Sequence, residues 1–168
     1  MGRAAPLVPR AGEGRGLKPW RRGVRALVLD TDNRVVLVHF DFPPFPWAPP
    51  GGGKDAGESD ELALRRELAE ELGLDDFELG PLLWRREHEF DAPLSFRGQR
   101  ENCYLVRVEP FEPAPRLDLA AEHVTEIRWW APDELRRSQE VFGPRRLPEL
   151  VAELLESGPP PVPLELGR

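Results

Sequence analysis

The segment from Gly52 to Leu74 sets what the rest of this chain must be arranged around. Between Ser59 and Leu72 it contains no proline, no glycine and no β-branched residue. Leucine, alanine, arginine and glutamate dominate it, and all are strong helix formers. Ser59 is suited to cap the start, and Asp60 and Glu61 fall in the first turn, where the helix dipole favours negative charge. Gly73 is suited to end the helix. Within the predicted helix, Leu64, Leu68 and Leu72 share one apolar stripe. Glu67, Glu70 and Glu71 form a second stripe beside it, at i, i+3 and i+4.

Three like charges on one helical face repel one another. A solvated acidic face is the ordinary explanation of such a run. Here, however, the acidic stripe borders the apolar one, so its carboxylates are expected at the edge of the core, where unpaired charge is costly. A bound cation would relieve both the repulsion and the desolvation. Carboxylate oxygen is what a hard ion such as Mg²⁺ or Mn²⁺ prefers.

The whole segment resembles the Nudix box. Gly52, Glu58 and the run Arg66-Glu67-Leu68-Ala69-Glu70-Glu71-Leu72-Gly73-Leu74 stand at the spacing of that signature. The resemblance implies an α/β (α+β) fold, an α/β/α sandwich with a mixed central sheet and a catalytic loop–helix–loop. It implies a divalent-metal-dependent hydrolase that cleaves a diphosphate linked to another group X, usually within a nucleotide. Carried over by position, Glu67, Glu70 and Glu71 resemble the metal ligands, with Glu58 a further carboxylate at the cluster. Arg66 resembles the residue that holds the box glutamates. Gly52 resembles the glycine that lets the loop pass close to metal and phosphate, though an ordinary turn glycine would look the same. Gly53 and Arg25 join Gly52 as expected substrate-binding residues.

Composition limits the alternatives. The chain has 168 residues and a formal charge of −7, enough length for one domain with a proper core. A single cysteine excludes an internal disulfide framework and fits a reducing, cytoplasmic compartment. No apolar run reaches membrane-spanning length, and the first ten residues lack the apolar segment of a signal peptide. The negative charge is a poor match to non-specific nucleic-acid binding, so a small nucleotide-type substrate is expected, with a homodimer possible. The charge is uneven, because residues 1–25 hold seven basic residues and one acidic. Residues 1–20, rich in Gly, Pro and Arg, read as a flexible basic arm. Residues 21–157 read as the hydrolase domain, and residues 158–168 as a proline-rich tail.

Around the box, Gly23 to Asp30 and Val35 to Phe40 read as a hairpin joined at Thr31 to Arg34. Asp41 to Pro50 holds five prolines and three aromatics, Phe42, Phe45 and Trp47. It is a shaped loop whose aromatics could either wall a base or plug the core. Strand character follows in Phe77 to Phe90, interrupted by Pro81, and then in Leu94 to Phe96, Asn102 to Val108 and Val124 to Trp130. Helices are expected over Asp133 to Arg137, after Pro132, and over Pro148 to Glu156. The run Glu126 to Trp130 followed by Asp133-Glu134-Leu135 also resembles the closing strand and helix of Nudix domains, so the resemblance covers Val24 to Leu155.

Water attack on phosphorus concentrates negative charge that a cation neutralises, and a carboxylate can take the water's proton. Glu67 and Glu70 are candidates for catalytic duty within the box, alongside Arg66. Glu122, before a strand, and Glu101, at an expected strand start, are candidate bases outside it, and each is as readily an exposed surface glutamate. His39, His88 and His123 lack zinc-site spacing, and Cys103 reads as a core residue. A Nudix-like sensing module without turnover is the alternative. Such modules usually lack box carboxylates, and all are present here. Nucleoside triphosphates, nucleotide sugars and dinucleoside polyphosphates remain open as substrates.

Overall fold

The computed structural model describes residues 18–90 and 95–167, so residues 1–17 of the expected arm lie outside the described residues. A mixed eight-stranded sheet forms the centre. Its strands are β1 (Trp20–Asp30), β2 (Val35–Phe40), β3 (Trp47–Ala48), β4 (Gly51–Gly53), β5 (Leu82–Glu89), β6 (Gly98–Val108), β7 (Val124–Trp130) and β8 (Leu164–Leu166). Helix α1 (Asp60–Leu72) follows β4, and α2 (Pro132–Arg137) and α3 (Leu147–Ser157) follow β7. The main path runs β3-β2-β1-β6-β5-β8, with β4 on β1 and β7 on β2.

Strand β1 is the axis. It pairs in parallel with β6 along its whole length, from Trp20 opposite Gly98 to Asp30 opposite Val108. Its other edge is shared. The first half pairs with β4, Gly23 opposite Gly53 and Arg25 opposite Gly51, while Leu29 near the end pairs with Val35 of β2. The glycine strand therefore enters the sheet beside the first half of β1, at the point where β2 leaves it.

The period-2 alternation of strands sorts side chains to two faces. Val24, Ala26 and Val28 pack with Ala63, Leu64, Leu68 and Leu72 of α1. Leu27 and Leu29 pack with Leu135 of α2 and Leu147, Leu150, Val151 and Leu154 of α3. The result is the expected α/β/α sandwich.

Some boundaries differ from the sequence reading. Strand β1 starts at Trp20 because β6 supplies partners that far. Strand β6 starts at Gly98, so Glu101 lies inside the strand, not at its start. Ser95 and Phe96 form bends, and Leu94 is outside the described residues. The expected tail contributes a strand. After its prolines, which cannot donate to a ladder, Leu164–Leu166 supplies free amides and pairs in parallel with Trp84 to Arg86 of β5. The aromatic loop divides its work. Trp47 is buried edge-on against Trp130 at 5.1 Å, Phe42 packs on Phe40, and Phe45 is exposed.

Candidate active site

Helix α1 is capped as its sequence dictates. The Ser59 hydroxyl accepts from the Leu62 amide at 3.2 Å, and Gly73 takes the left-handed conformation at φ 68° while its amide bonds the Ala69 carbonyl. Asp60, the first helical residue, accepts from Tyr104 and Asn102 of β6 and from Lys54 of the preceding loop, at 2.6, 2.7 and 2.6 Å. These bonds fix the start of α1 against the sheet and aim its acidic stripe at β4.

Two box glutamates are buried against that strand. Glu71 accepts from the Gly51 amide at 2.9 Å. The carboxylate of Glu67 lies directly over Gly52, where a Cβ would stand 2.5 Å from it. Gly52 is thus a glycine because the Glu67 carboxylate occupies the space a side chain would fill. Glu70 is half-buried on the same stripe, and its charge opposes ionisation of Glu67.

Arg66 ties the box together. It donates to both oxygens of Glu58 (3.1 and 2.9 Å), to Glu67 (2.6 Å) and to the Gly53 carbonyl (3.0 Å). Those hydrogen bonds lower the pKa of Glu58 and raise that of Arg66. Burial raises Glu67 despite Arg66. Burial, with the charge of Glu67 added, pushes Glu71 up to about 8. Among the described residues no three acidic, histidine or cysteine side chains converge as a closed metal cage. Even so, an all-oxygen set with an excess of buried negative charge suits a hard divalent cation.

Arg25 lies behind the glycine strand. Its Nε donates to Glu101 at 3.1 Å, and its Nη1 to the carbonyls of Pro49 and Gly51 at 3.2 and 3.3 Å. Two of its donor groups are therefore engaged inside the protein, where the sequence reading had offered Arg25 to substrate. Glu101 also accepts from Arg86 at 3.3 Å and Gln99 at 2.5 Å. Burial opposes its ionisation, but the charges of Arg25 and Arg86 outweigh that and hold Glu101 down to about 2. Such a firmly ionised carboxylate is a poor proton acceptor. Glu122 stands apart as an exposed residue in the turn before β7, close enough for its charge to act on Glu71 and Arg21.

Sequence reasoning missed the polar layer of Arg21, Gln99, Glu101 and Arg86. The signal was the alternation itself. Gln99 and Glu101 continue the Cys103–Leu105 face backwards, and charged residues on a buried strand face call for partners. His39 is bonded to Thr125 and His123 to Asp41. Cys103 is buried in the core, as expected.

A mixed sheet between two helical layers, with a glycine strand facing a capped glutamate helix, is the architecture of one known class. The NUDIX domain profile matches residues 19–151, and the chain belongs to the Nudix family. It is a pyrophosphohydrolase of that family, acting on phosphoric anhydride bonds. An RNA pyrophosphohydrolase of Caulobacter vibrioides is 33% identical over 138 residues, covering 74% of this chain and 77% of that protein. Two solved structures share the fold. A MutT NUDIX hydrolase from Burkholderia pseudomallei matches at TM-score 0.58 and 26% identity, over 76% of this chain and 94% of that one. A NUDIX hydrolase from Nitrosomonas europaea matches at TM-score 0.64 and 21% identity, over 86% and 94%.

Proposed function

We propose that the protein hydrolyses the pyrophosphate linkage of a nucleoside diphosphate joined to another group, with Mg²⁺ or Mn²⁺ held by Glu67, Glu70 and Glu71 and with Glu58 at the edge of the cluster. The observation that carries this reading is the pair Glu67 and Glu71, buried against β4 with their charge incompletely neutralised. When bound, the cation would offset charge developing on the phosphoryl oxygens and acidify attacking water. The protein's own residues do the rest. Arg66 keeps Glu58 and Glu67 in place, and Gly52 and Gly53 let a phosphate approach the backbone. Glu122 is the proposed general base, because it is exposed, lies on a turn and, among the described residues, has no arginine contact like those that hold Glu58, Glu67 and Glu101. One cysteine and the absence of a long apolar helix among the described residues support a cytoplasmic setting.

Room for the nucleotide adjoins the box. A cavity of about 360 Å³ is lined by Trp20, Arg21, Arg22, Lys54, Glu58 and Phe96. It shares Arg22 and Lys54 with a neighbouring cavity of about 550 Å³ that reaches Arg85 and Arg100. Their guanidiniums favour a second reading of the other group, in which the cleaved phosphates belong to an RNA 5′ end, the substrate class in the name of the Caulobacter relative. The test is a product assay with Mg²⁺ or Mn²⁺ on nucleoside triphosphates, nucleotide sugars, dinucleoside polyphosphates and 5′-triphosphorylated RNA. Phosphate or pyrophosphate release from one group is expected. Failure to turn over any of them would overturn the proposal, and selective action on RNA would favour the second reading.

A further inference from the structure

Behind the glycine strand, one buried carboxylate ties three strands together. Glu101 is 4% exposed in the interior of β6. Its neighbours across the sheet are Gly23 of β1 and Arg86 of β5. It accepts from Arg25 of β1, Arg86 of β5 and Gln99 of its own strand, and Gln99 in turn accepts from Arg21 of β1 at 2.7 Å. A buried ion is tolerated when it is paired and its remaining lone pairs are bonded, and Glu101 meets that requirement. None of these contacts touches the box helix.

Arg25 carries the connection forward. Its guanidinium is held at Nε by Glu101, and its Nη1 grips the carbonyls of Pro49 and Gly51. Gly51 is the residue whose amide bonds Glu71. Strand β4 is three residues long, so its ladder to β1 is short and the arginine is a substantial share of what locates it. Gly51 itself has φ +143°, a conformation side-chain-bearing residues rarely adopt. Glycine reaches this conformation without steric cost, so contacts, not local strain, locate the strand.

We propose that Glu101 is a positioning residue for the hydrolysis: through Arg25 it places Gly51, and through Gly51 the Glu71 carboxylate. The inference rests on the proposed role of Glu71 as a ligand. Glu101→Gln keeps the size of the side chain and removes its charge. Its amide donor must replace either the oxygen facing Arg86 or the one shared by Arg25 and Gln99, and in both cases the guanidinium of Arg25 loses the charge that seats it. Residues that orient ligands in this indirect way typically change metal affinity or activity by about 10- to 100-fold.

The experiment uses the full chain at a temperature where every variant is fully folded. Amide hydrogen exchange of Gly51 is read without metal, Mn²⁺ affinity by calorimetry, and kcat and KM on the best nucleotide of the panel. For Glu101→Gln the expected result is lost Gly51 protection, Mn²⁺ affinity weakened by about 10- to 100-fold, and a fall in kcat with little change in KM. Arg25→Lys keeps a cation opposite Glu101 but lacks the planar fork, and should do the same. It also serves as the second variant if Glu101→Gln fails to fold. In the double variant the losses should not multiply, because both act on one line of contacts. Wild-type Gly51 protection and Mn²⁺ affinity in either folded single variant would overturn the proposal, as would multiplied losses. A residue that only stabilises the fold would lower the melting temperature and leave all of these readings unchanged. If the wild type binds no Mn²⁺, the ligand reading fails, and Gly51 exchange still decides whether Glu101 places the strand.

Discussion

Gly52→Ala separates function from stability more sharply than any other single substitution at this site. The new Cβ would lie 2.5 Å from the Cδ and Oε1 of Glu67 and 2.6 Å from its Oε2. Ordinary carbon–oxygen contacts are about 3.3 Å or longer, so the carboxylate must retreat by roughly 0.8 Å. Only the end of a side chain has to move, and overpacking of this kind should cost no more than the low end of the usual range, about 1 kcal/mol. For a chain of this size that lowers the melting temperature by about 2–4 °C. The retreating atoms are the proposed ligand atoms, and a misplacement near 1 Å can cost about 10²-fold in rate. Steady-state kinetics over a Mn²⁺ titration, alongside a thermal melt, should therefore show kcat down by about 10²-fold and nearly unchanged melting. Gly51→Ala is the contrast. Its Cβ would collide with the backbone of Val24 and Arg25, which cannot step aside, so stability should collapse instead. A Gly52→Ala enzyme with wild-type kcat and wild-type Mn²⁺ dependence would refute the placement of Glu67 at the reaction centre.

Glu70→Gln and Glu71→Gln should each reduce turnover by orders of magnitude while leaving the fold intact, and above about pH 8, where Glu71 is ionised without metal, Glu71→Gln should raise the metal-free melting temperature by removing buried charge; wild-type turnover in both would sink the ligand assignment. Glu122→Gln should lower kcat by about 10²- to 10⁴-fold, the usual worth of a general base, with Mn²⁺ affinity nearly unchanged; a near-normal rate would return the role to a box glutamate. Glu101 gives a pH signature. Its folded pKa lies below its unfolded value of 4.5, at about 2, so its contribution is complete above pH 4.5 and disappears as the pH falls toward 2. The whole interval corresponds to roughly 3 kcal/mol, of which about 2 kcal/mol is lost between pH 6 and pH 3, readable as the difference in urea-unfolding free energy between those pH values for wild type against Glu101→Gln. An identical acid loss in both proteins would contradict the ion-pair account.

Helix α1 was legible to the residue because every cue in it is local. Its cap, its first-turn acids, its glycine stop and its stripes lie within about four residues of one another. Its acidic face was legible as a candidate site for the same reason. What eluded the sequence depends on distant partners. Trp20 to Arg22 became strand because residues 98–100 lie alongside them, and Leu164–Leu166 because β5 offered an open edge. Arg25 looked like a free cation suited to phosphate, and nothing local could show that Glu101, far along the chain, would face it. Glu101 in turn looked like a strand-end residue because the period-2 pattern was first evident from Asn102 onward. The aromatic loop was ambiguous in principle. Trp47 entered the core because Trp130 and Phe142 leave room for its ring, and that room belongs to tertiary packing.

The two buried acids on either side of β4 explain why this site asks for a cation. Burial alone raises the pKa of both Glu71 and Glu101. Glu101 ends at about 2 because two guanidiniums face it, while Glu71 ends at about 8 because the charge it feels most strongly is that of Glu67. Of the nearby arginines, Arg25 and Arg86 are committed to Glu101 and Arg66 to Glu58 and Glu67, while Arg21 donates to Gln99 and reaches Glu67 only through its field. The Gly51 amide bonds Glu71 but carries no net charge, and the pull of Arg25 on Glu71 is shared with a closer carboxylate. A proton would neutralise one acid and remove one ligand. A divalent cation neutralises two acids at once and leaves both ionised, which is the state a pyrophosphate-cleaving site requires. The arginine layer behind β4 therefore does more than brace the sheet. By spending its charge on Glu101 it leaves the glutamates in front short of positive charge, which the proposed cation would supply.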